Sequence, residues 1–236
     1  MIELRDLTVK FGGVTALDHL TVQFRQPVSG IIGPNGAGKT TTMNAISGFL
    51  DCQGDIYWHQ EKISHLPAQK RTRWGLRRSF QREQIADDLS VRDNLLALLD
   101  NIPVSRAEKQ QSLVEALEIT GLTAKADVQA RQLNTFERRL TDIARCLVGK
   151  PRLVMFDEPC GGLPQDETRH LGDLIVRVSE HTGATVLVID HDVDLIARIC
   201  SETLVLDFGK RIAFGETRAV LENPKVQAAY LGIEEV

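Results

Sequence analysis

With 236 residues, 42% hydrophobic and 25% charged, the chain has an ordinary globular composition and a length that suits one large domain or a domain carrying an inserted subdomain. Its net charge of −4 offers no basic face of the kind nucleic-acid binders carry, so no nucleic-acid partner is expected. No apolar run approaches the ~18 residues needed to span a bilayer, so any membrane role is expected to be peripheral. Cys52, Cys146, Cys160 and Cys200 have neither zinc-like spacing nor a disulfide pattern, which points to a reducing compartment, and the opening residues do not read as a signal peptide.

In chain order, residues 1–25 alternate in hydrophobicity (Leu4, then Leu7, Val9, Phe11, then Leu20, Val22, Phe24), which predicts half-buried antiparallel strands. Residues 28–32 form a short apolar strand closed by Gly33, and a helix is expected to start in the following glycine-rich turn and run to about Ser47. A strand is expected over 55–58. From about Asp87 the pattern becomes helical: Ser90 with Asp93 makes a capping box before Leu95, Leu98 and Leu99, Leu113 and Leu117 continue a stripe, and Gly121 ends it. A further helix carries Leu140, Ile143, Ala144 and Leu147. Continuous apolar runs over 153–156, 186–189 and 204–206 predict strands covered on both faces, with a crossover helix over about 166–180. The fold class expected is α/β: a mainly parallel sheet, an N-terminal antiparallel β region and an inserted helical subdomain.

Gly33-Pro34-Asn35-Gly36-Ala37-Gly38-Lys39-Thr40 matches the phosphate-loop pattern in full and sits between a predicted strand and a predicted helix. The residue types follow from the chemistry. Glycines let backbone N–H groups close on phosphate oxygens, and the helix N-terminus aims its positive end at the anion. Lys39 reaches the β- and γ-phosphates, and Thr40 offers a hydroxyl to Mg²⁺. A second motif, Leu153-Val154-Met155-Phe156-Asp157-Glu158, ends a buried strand in two carboxylates; in a parallel sheet that places them beside the phosphate loop. Asp157 is expected to hold Mg²⁺ through water, and Glu158 to orient or deprotonate the attacking water. The cofactors expected are ATP and Mg²⁺ on a P-loop NTPase core.

With these motifs in place, nearly the whole chain resembles the ABC transporter ATPases. The resemblance implies that Phe11 stacks on adenine, though Phe11 also suits a core strand position. It implies that Thr41 joins the nucleotide contacts, and that Gln81 in Ser79-Phe80-Gln81 touches Mg²⁺ and reports to the membrane partner. It further implies that His191, following the buried strand that ends at Ile189, is the switch histidine at the γ-phosphate and acts with Glu158 in catalysis. The partners implied are transmembrane permease subunits and a second ATPase subunit, identical or different, in a head-to-tail dimer. The place implied is the cytoplasmic face of a prokaryotic cell membrane. One ATPase domain spans 1–236, with a core of 1–83 and 149–236 and a helical subdomain over about 84–148. Within the family the chain looks most like importer ATPases for branched-chain amino acids and related small solutes, on Phe11-Gly12-Gly13-Val14, Arg78-Ser79-Phe80-Gln81 and Ala229-Tyr230-Leu231-Gly232.

Two loops depart from the family pattern. The signature, usually Leu-Ser-Gly-Gly-Gln, reads Leu133-Asn134-Thr135-Phe136-Glu137, in which Asn134 and Glu137 form a capping pair. The loop after Glu158 reads Gly161-Gly162-Leu163-Pro164 without the usual Asp or Asn. Two other readings stay open: a soluble ABC ATPase acting on DNA or ribosomes, which usually needs a long coiled-coil insertion or two ATPase domains, and a regulatory nucleotide-binding module. Asp207-Phe208-Gly209 spells a kinase motif but is expected to be a turn between strands. The basic run Lys70, Arg71, Arg73, Arg77, Arg78 and Arg82 reads as a solvated face.

Overall fold

The computed structural model describes residues 1–228; the motif at 229–232 lies outside the described residues. Along the chain run β1 (Ile2–Phe11), β2 (Val14–Phe24), β3 (Val28–Ile32), α1 (Lys39–Ser47), β4 (Gln53–Trp58), β5 (Glu61–Lys62), α2 (Ala68–Trp74) and β6 (Leu76–Arg78). Then come α3 (Val91–Leu99), α4 (Arg106–Ile119), α5 (Thr135–Leu147), β7 (Leu153–Asp157), α6 (Gln165–Thr182), β8 (Thr185–Ile189), α7 (Val193–Ile199), β9 (Glu202–Asp207), β10 (Lys210–Glu216), α8 (Thr217–Leu221) and α9 (Pro224–Val226). Two compact units divide the chain, residues 1–71 with 187–236 and residues 72–186, so the divisions fall inside α2 and β8.

In the first unit an antiparallel sheet has the order β2-β1-β4-β5. Leu4 and Leu7 are three apart, which a regular strand would place on opposite faces, yet both are fully buried. The ladder slips between them, where Asp6 has φ 54°, and again between Leu7 and Val9, where His19 of β2 has φ 51°, and these bulges return the later apolar residues to the core face. β3 pairs in parallel with β9, and β9 in antiparallel with β10. Phe24 of β2 meets Phe214 of β10 edge to face at 5.5 Å. Buried Glu202 accepts the Arg25 and Gln26 N–H groups and the Ser29 hydroxyl, which closes the turn from β2 to β3.

In the second unit β6 pairs in parallel with β7, Leu76 beside Leu153 and Arg78 beside Met155. α5 packs against α3, α4 and α6, and its Leu140, Ile143, Ala144 and Leu147 are all buried. α3, α4 and α5 each start where the sequence supplies a side-chain cap, whereas α6 follows Pro164 without one. Ser90 accepts the Asp93 N–H, and full capping boxes join Ser105 to Glu108 and Asn134 to Glu137. Gly121 and Gly183 follow α4 and α6 in the left-handed conformation that ends a helix.

One expectation holds only in part. Lys70, Arg73 and Arg82 of the basic run are exposed, but Arg71 and Arg77 are buried. Arg71 donates to the carbonyls of Ala45 and Ile46 in the last turn of α1, and to those of Ser64 and Leu66. Arg77 donates to the carbonyls of Thr72, Leu76, Val148 and Gly149, and burial pulls its guanidinium down to about 10. A planar five-donor fork can satisfy several helix-end and loop carbonyls at once, which offsets its desolvation.

The Asp207-Phe208-Gly209 segment is a hairpin turn, as expected: Asp207 pairs with Lys210, and Phe208 and Gly209 both have positive φ, 41° and 75°. That turn type favours Asn-Gly, and a phenylalanine there is strained. Its ring, 84% exposed, recovers little by burial. Phe208→Asn is expected to raise the unfolding free energy by about 1 kcal/mol, read by denaturant titration, with nucleotide binding unchanged.

Candidate nucleotide site

The loop between β3 and α1 has the backbone its sequence demands. Gly33, Gly36 and Gly38 adopt φ of 149°, 80° and 102°. A Cβ on Gly33 would lie 2.1 Å from the Leu206 carbonyl oxygen, and one on Gly38 2.8 Å from that of Ala16, so main chain closes on the loop from β9 and β2. Gly36 has open space around it, and its backbone conformation alone favours glycine. Lys39 is buried and its ammonium donates to the carbonyls of Gly33 (2.7 Å) and Pro34 (2.9 Å), which spans the loop from within. α1 begins at Gly38 without a side-chain cap, so its first N–H groups suit an anion. Asn35 and Thr40 are exposed, Pro34 and Thr41 half-buried, and Ala37 is buried.

Phe11 also belongs to the first unit. It ends β1 at a two-residue hairpin turn, opposite Val14, and is half exposed, so it is not a core residue. An exposed aromatic face at a rigid hairpin can stack on a base. His191 is exposed in the tight turn after β8, between buried Asp190, which accepts the Asp192 N–H, and Asp192, which caps α7.

In the second unit the two acidic residues at the end of β7 meet two partners, one on β6 and one just beyond it. Gln81 donates to the Glu158 carboxylate at 2.7 Å. Asp157 accepts from Arg78 at 2.8 Å, with both side chains no more than 4% exposed. Burial lowers the Arg78 guanidinium from its usual range while Asp157 pulls it back up, and its plane lies 4.7 Å from the Phe80 ring. Arg78 is the residue that sequence reading missed. Its place in the basic run and in Arg78-Ser79-Phe80-Gln81 marked it, but charge alone does not reveal burial. Glu158 has φ 52°, a left-handed conformation that costs a non-glycine residue of order 1–3 kcal/mol and is characteristic of functional sites.

Thr40, Gln81 and Asp157 offer oxygen donors, the chemistry Mg²⁺ takes. Among the described residues no cluster of three His, Cys, Asp or Glu side chains is arranged to hold a metal. Oxygen donors of this kind suit a cation that keeps its waters and arrives with phosphate, as Mg²⁺ does in nucleotide sites.

The signature-like loop opens α5. Glu137 accepts the Asn134 N–H at 3.1 Å and pairs with Lys125 at 3.0 Å; burial pushes its carboxyl up, but these two partners outweigh it and hold the group below its ordinary value. The Phe136 ring is half-buried, edge-on to His170 of α6 at 5.5 Å.

The ABC transporter family profile matches residues 18–161, and the chain belongs to that family. It is similar, at 36% identity over 98% of both chains, to the high-affinity branched-chain amino acid transport ATP-binding protein BraF of Pseudomonas aeruginosa. It is likewise similar, at 33% identity over 98% of both chains, to the LivG protein of the same description from Escherichia coli. Among solved structures, an ATP-binding cassette of an ABC transporter in its ADP conformation superposes with a TM-score of 0.86, at 27% identity over 99% of each chain.

Asp142 on α5 is a further buried carboxylate. Burial pushes it up to about 6, Glu83 adds to the push, and Arg145, Arg139 and the Phe80 N–H oppose it. A carboxyl raised in the folded state holds a proton that the unfolded chain has lost, so stability falls as pH rises through that range. Asp142→Asn removes this dependence. Its stability relative to the wild type is expected to increase by up to about 3 kcal/mol between pH 4 and 7, measured by chemical denaturation at each pH.

Proposed function

We propose that this chain is an ATP-hydrolysing subunit that energises an ABC transporter, importing branched-chain amino acids or related small solutes through transmembrane permease subunits. The observation that carries the reading is the buried Lys39 spanning an intact glycine loop; membership of the ABC family and similarity to the branched-chain amino acid transport proteins BraF and LivG supply the transport. In this reading residues 1–83 and 149–236 form the nucleotide-binding core, and residues 84–148 a helical lobe. The protein sits at the cytoplasmic face of the membrane; among the described residues no helix is long and apolar enough to cross a bilayer.

Each role follows from its chemistry. Residues 33–41 wrap the triphosphate with main-chain N–H groups, and Lys39 exchanges its carbonyl partners for phosphate oxygens. Phe11 supplies a stacking face for adenine. Thr40, Gln81 and Asp157 hold Mg²⁺, partly through water, and the cation when bound neutralises charge on the phosphates. Glu158 orients or deprotonates the attacking water, and His191 donates toward the γ-phosphate. Lys39→Ala is expected to weaken Mg-ATP binding about 10–100-fold through loss of charge-assisted phosphate bonds. Glu158→Gln is expected to bind ATP as the wild type does and to lose about 10²–10⁴ in turnover. Fluorescent-nucleotide titration and phosphate release check both. Near-normal hydrolysis by Glu158→Gln removes Glu158 from the role of base.

A specific observation bears on assembly. In the family the signature loop grips the partner subunit's nucleotide, and here Phe136 stands where glycine lets phosphate approach, followed by the Glu137 carboxylate. The capping box keeps the helix dipole aimed outward, but the ring and the negative charge oppose a triphosphate. This chain therefore completes its partner's site poorly, and its own site is best served by a different ATPase subunit with an intact signature. The purified chain is expected to hydrolyse ATP slowly, and an added paralogous subunit to accelerate it, with the gain lost in Lys39→Ala. Fast cooperative hydrolysis by the homodimer contradicts the asymmetry, and accelerated binding without turnover under every pairing favours a regulatory module.

A further inference from the structure

The segment that carries Gln81 is fastened to α5 by Arg139, Asp142 and Arg145, each one turn of helix after the last. β6 ends at Arg78, so strand pairing does not itself position residue 81. Arg139 donates to the Gln81 carbonyl at 3.2 Å and pairs with Glu83 at 3.2 Å. Asp142 takes the Phe80 N–H. Arg145 donates to the Gln84 carbonyl and pairs with Asp142 at 3.3 Å. Gln81 in turn donates to Glu158. α5 contains neither glycine nor proline between Thr135 and Leu147, is packed by α3, α4 and α6, and opens at Asn134 in the signature-like loop. A helix so built moves as a rigid rod.

We propose that Arg139 and Arg145 are positioning residues for ATP hydrolysis: by holding the main chain at Gln81 and Gln84 on α5, they set Gln81 against Glu158 and carry the state of the signature-like loop to the hydrolytic carboxylate of the same chain. The inference rests on the ATPase reading above. Arg139 grips the carbonyl of residue 81 itself, and release of that carbonyl frees the side chain that touches Glu158. A displacement of about 1 Å at such a contact is enough to cost ~10²-fold in rate. Arg138 provides an internal control on the same helix, because its guanidinium binds Asp87 (2.8 Å) and the Ala130 carbonyl (3.1 Å) instead.

Single-turnover hydrolysis by the full chain, alone and with its partner ATPase and permease subunits, tests this. Nucleotide affinity and hydrogen exchange at the amides of residues 80–84 are measured alongside. Arg139→Met and Arg145→Met keep the aliphatic stem and lose the donors. They are expected to slow turnover ~10–100-fold, to leave ATP affinity within about twofold and to speed exchange at residues 80–84. Arg139→Lys, which keeps one donor for the Gln81 carbonyl, is expected to restore most of the rate, and Arg138→Met to behave as the wild type. Equal slowing by Arg138→Met, or faster exchange with unaltered turnover, overturns the inference. Failure of the wild-type chain to bind ATP overturns the ATPase reading, and this inference with it. That failure is read in the affinity measurement, whereas normal affinity with unaltered turnover in both variants defeats the positioning role alone.

Discussion

The phosphate loop is built around a main-chain approach that no side chain could share. Gly33 faces the Leu206 carbonyl, and any Cβ at residue 33 would sit 2.1 Å from it. That contact lies where the parallel pairing of β3 with β9 ends, and the β9–β10 turn is tied back by the Gly209 N–H to the Ala37 carbonyl. The register of three strands and the shape of the loop are thus one constraint. Lys39, held across the loop from inside, keeps it open in a form that main-chain N–H groups can present to an anion.

Polar groups in the interior organise the rest of the molecule. In the first unit Arg71 serves the carbonyls that end α1, and Glu202 closes the turn into β3. In the second, Arg77 serves four carbonyls, Arg78 neutralises Asp157, and Asp142 sits between Arg139 and Arg145 under the segment that carries Gln81. Removing one member of such a set leaves a buried group without its partner, which costs far more than the intact pair contributes. These side chains specify where loops lie, and the apolar core fixes which elements exist.

Seven non-glycine residues among the described residues hold positive φ, and two of them lie at or beside residues of the candidate site. Glu158, at the end of β7, and Phe208, in the turn beside the phosphate loop, both hold positive φ, whereas the helix ends use glycine for that conformation. In Glu158 the strained backbone aims a carboxylate that also accepts from Gln81. In the signature-like loop, by contrast, local chemistry is relaxed: Asn134 and Glu137 satisfy one another, and the Phe136 ring rests on His170.

By itself the sequence determined the α/β class, the phosphate loop, the acidic strand end and the caps at Ser90 and Asn134, because each is a local pattern in which residue type and spacing carry the physics. It also marked the hairpin at Phe208-Gly209 and the departures at Phe136 and Gly161. Only the tertiary structure decided that Leu4 and Leu7 share a face, since a bulge is set by the opposite strand. It alone showed Phe11 exposed and Arg71 and Arg77 of the basic run turned inward, and it paired Arg78 with Asp157 and hung the Gln81 segment on α5. A charged side chain looks the same in sequence whether water or a carbonyl satisfies it. For Arg77 and Arg78 the answer depends on residues 71 and 79 positions away, brought near by strand pairing.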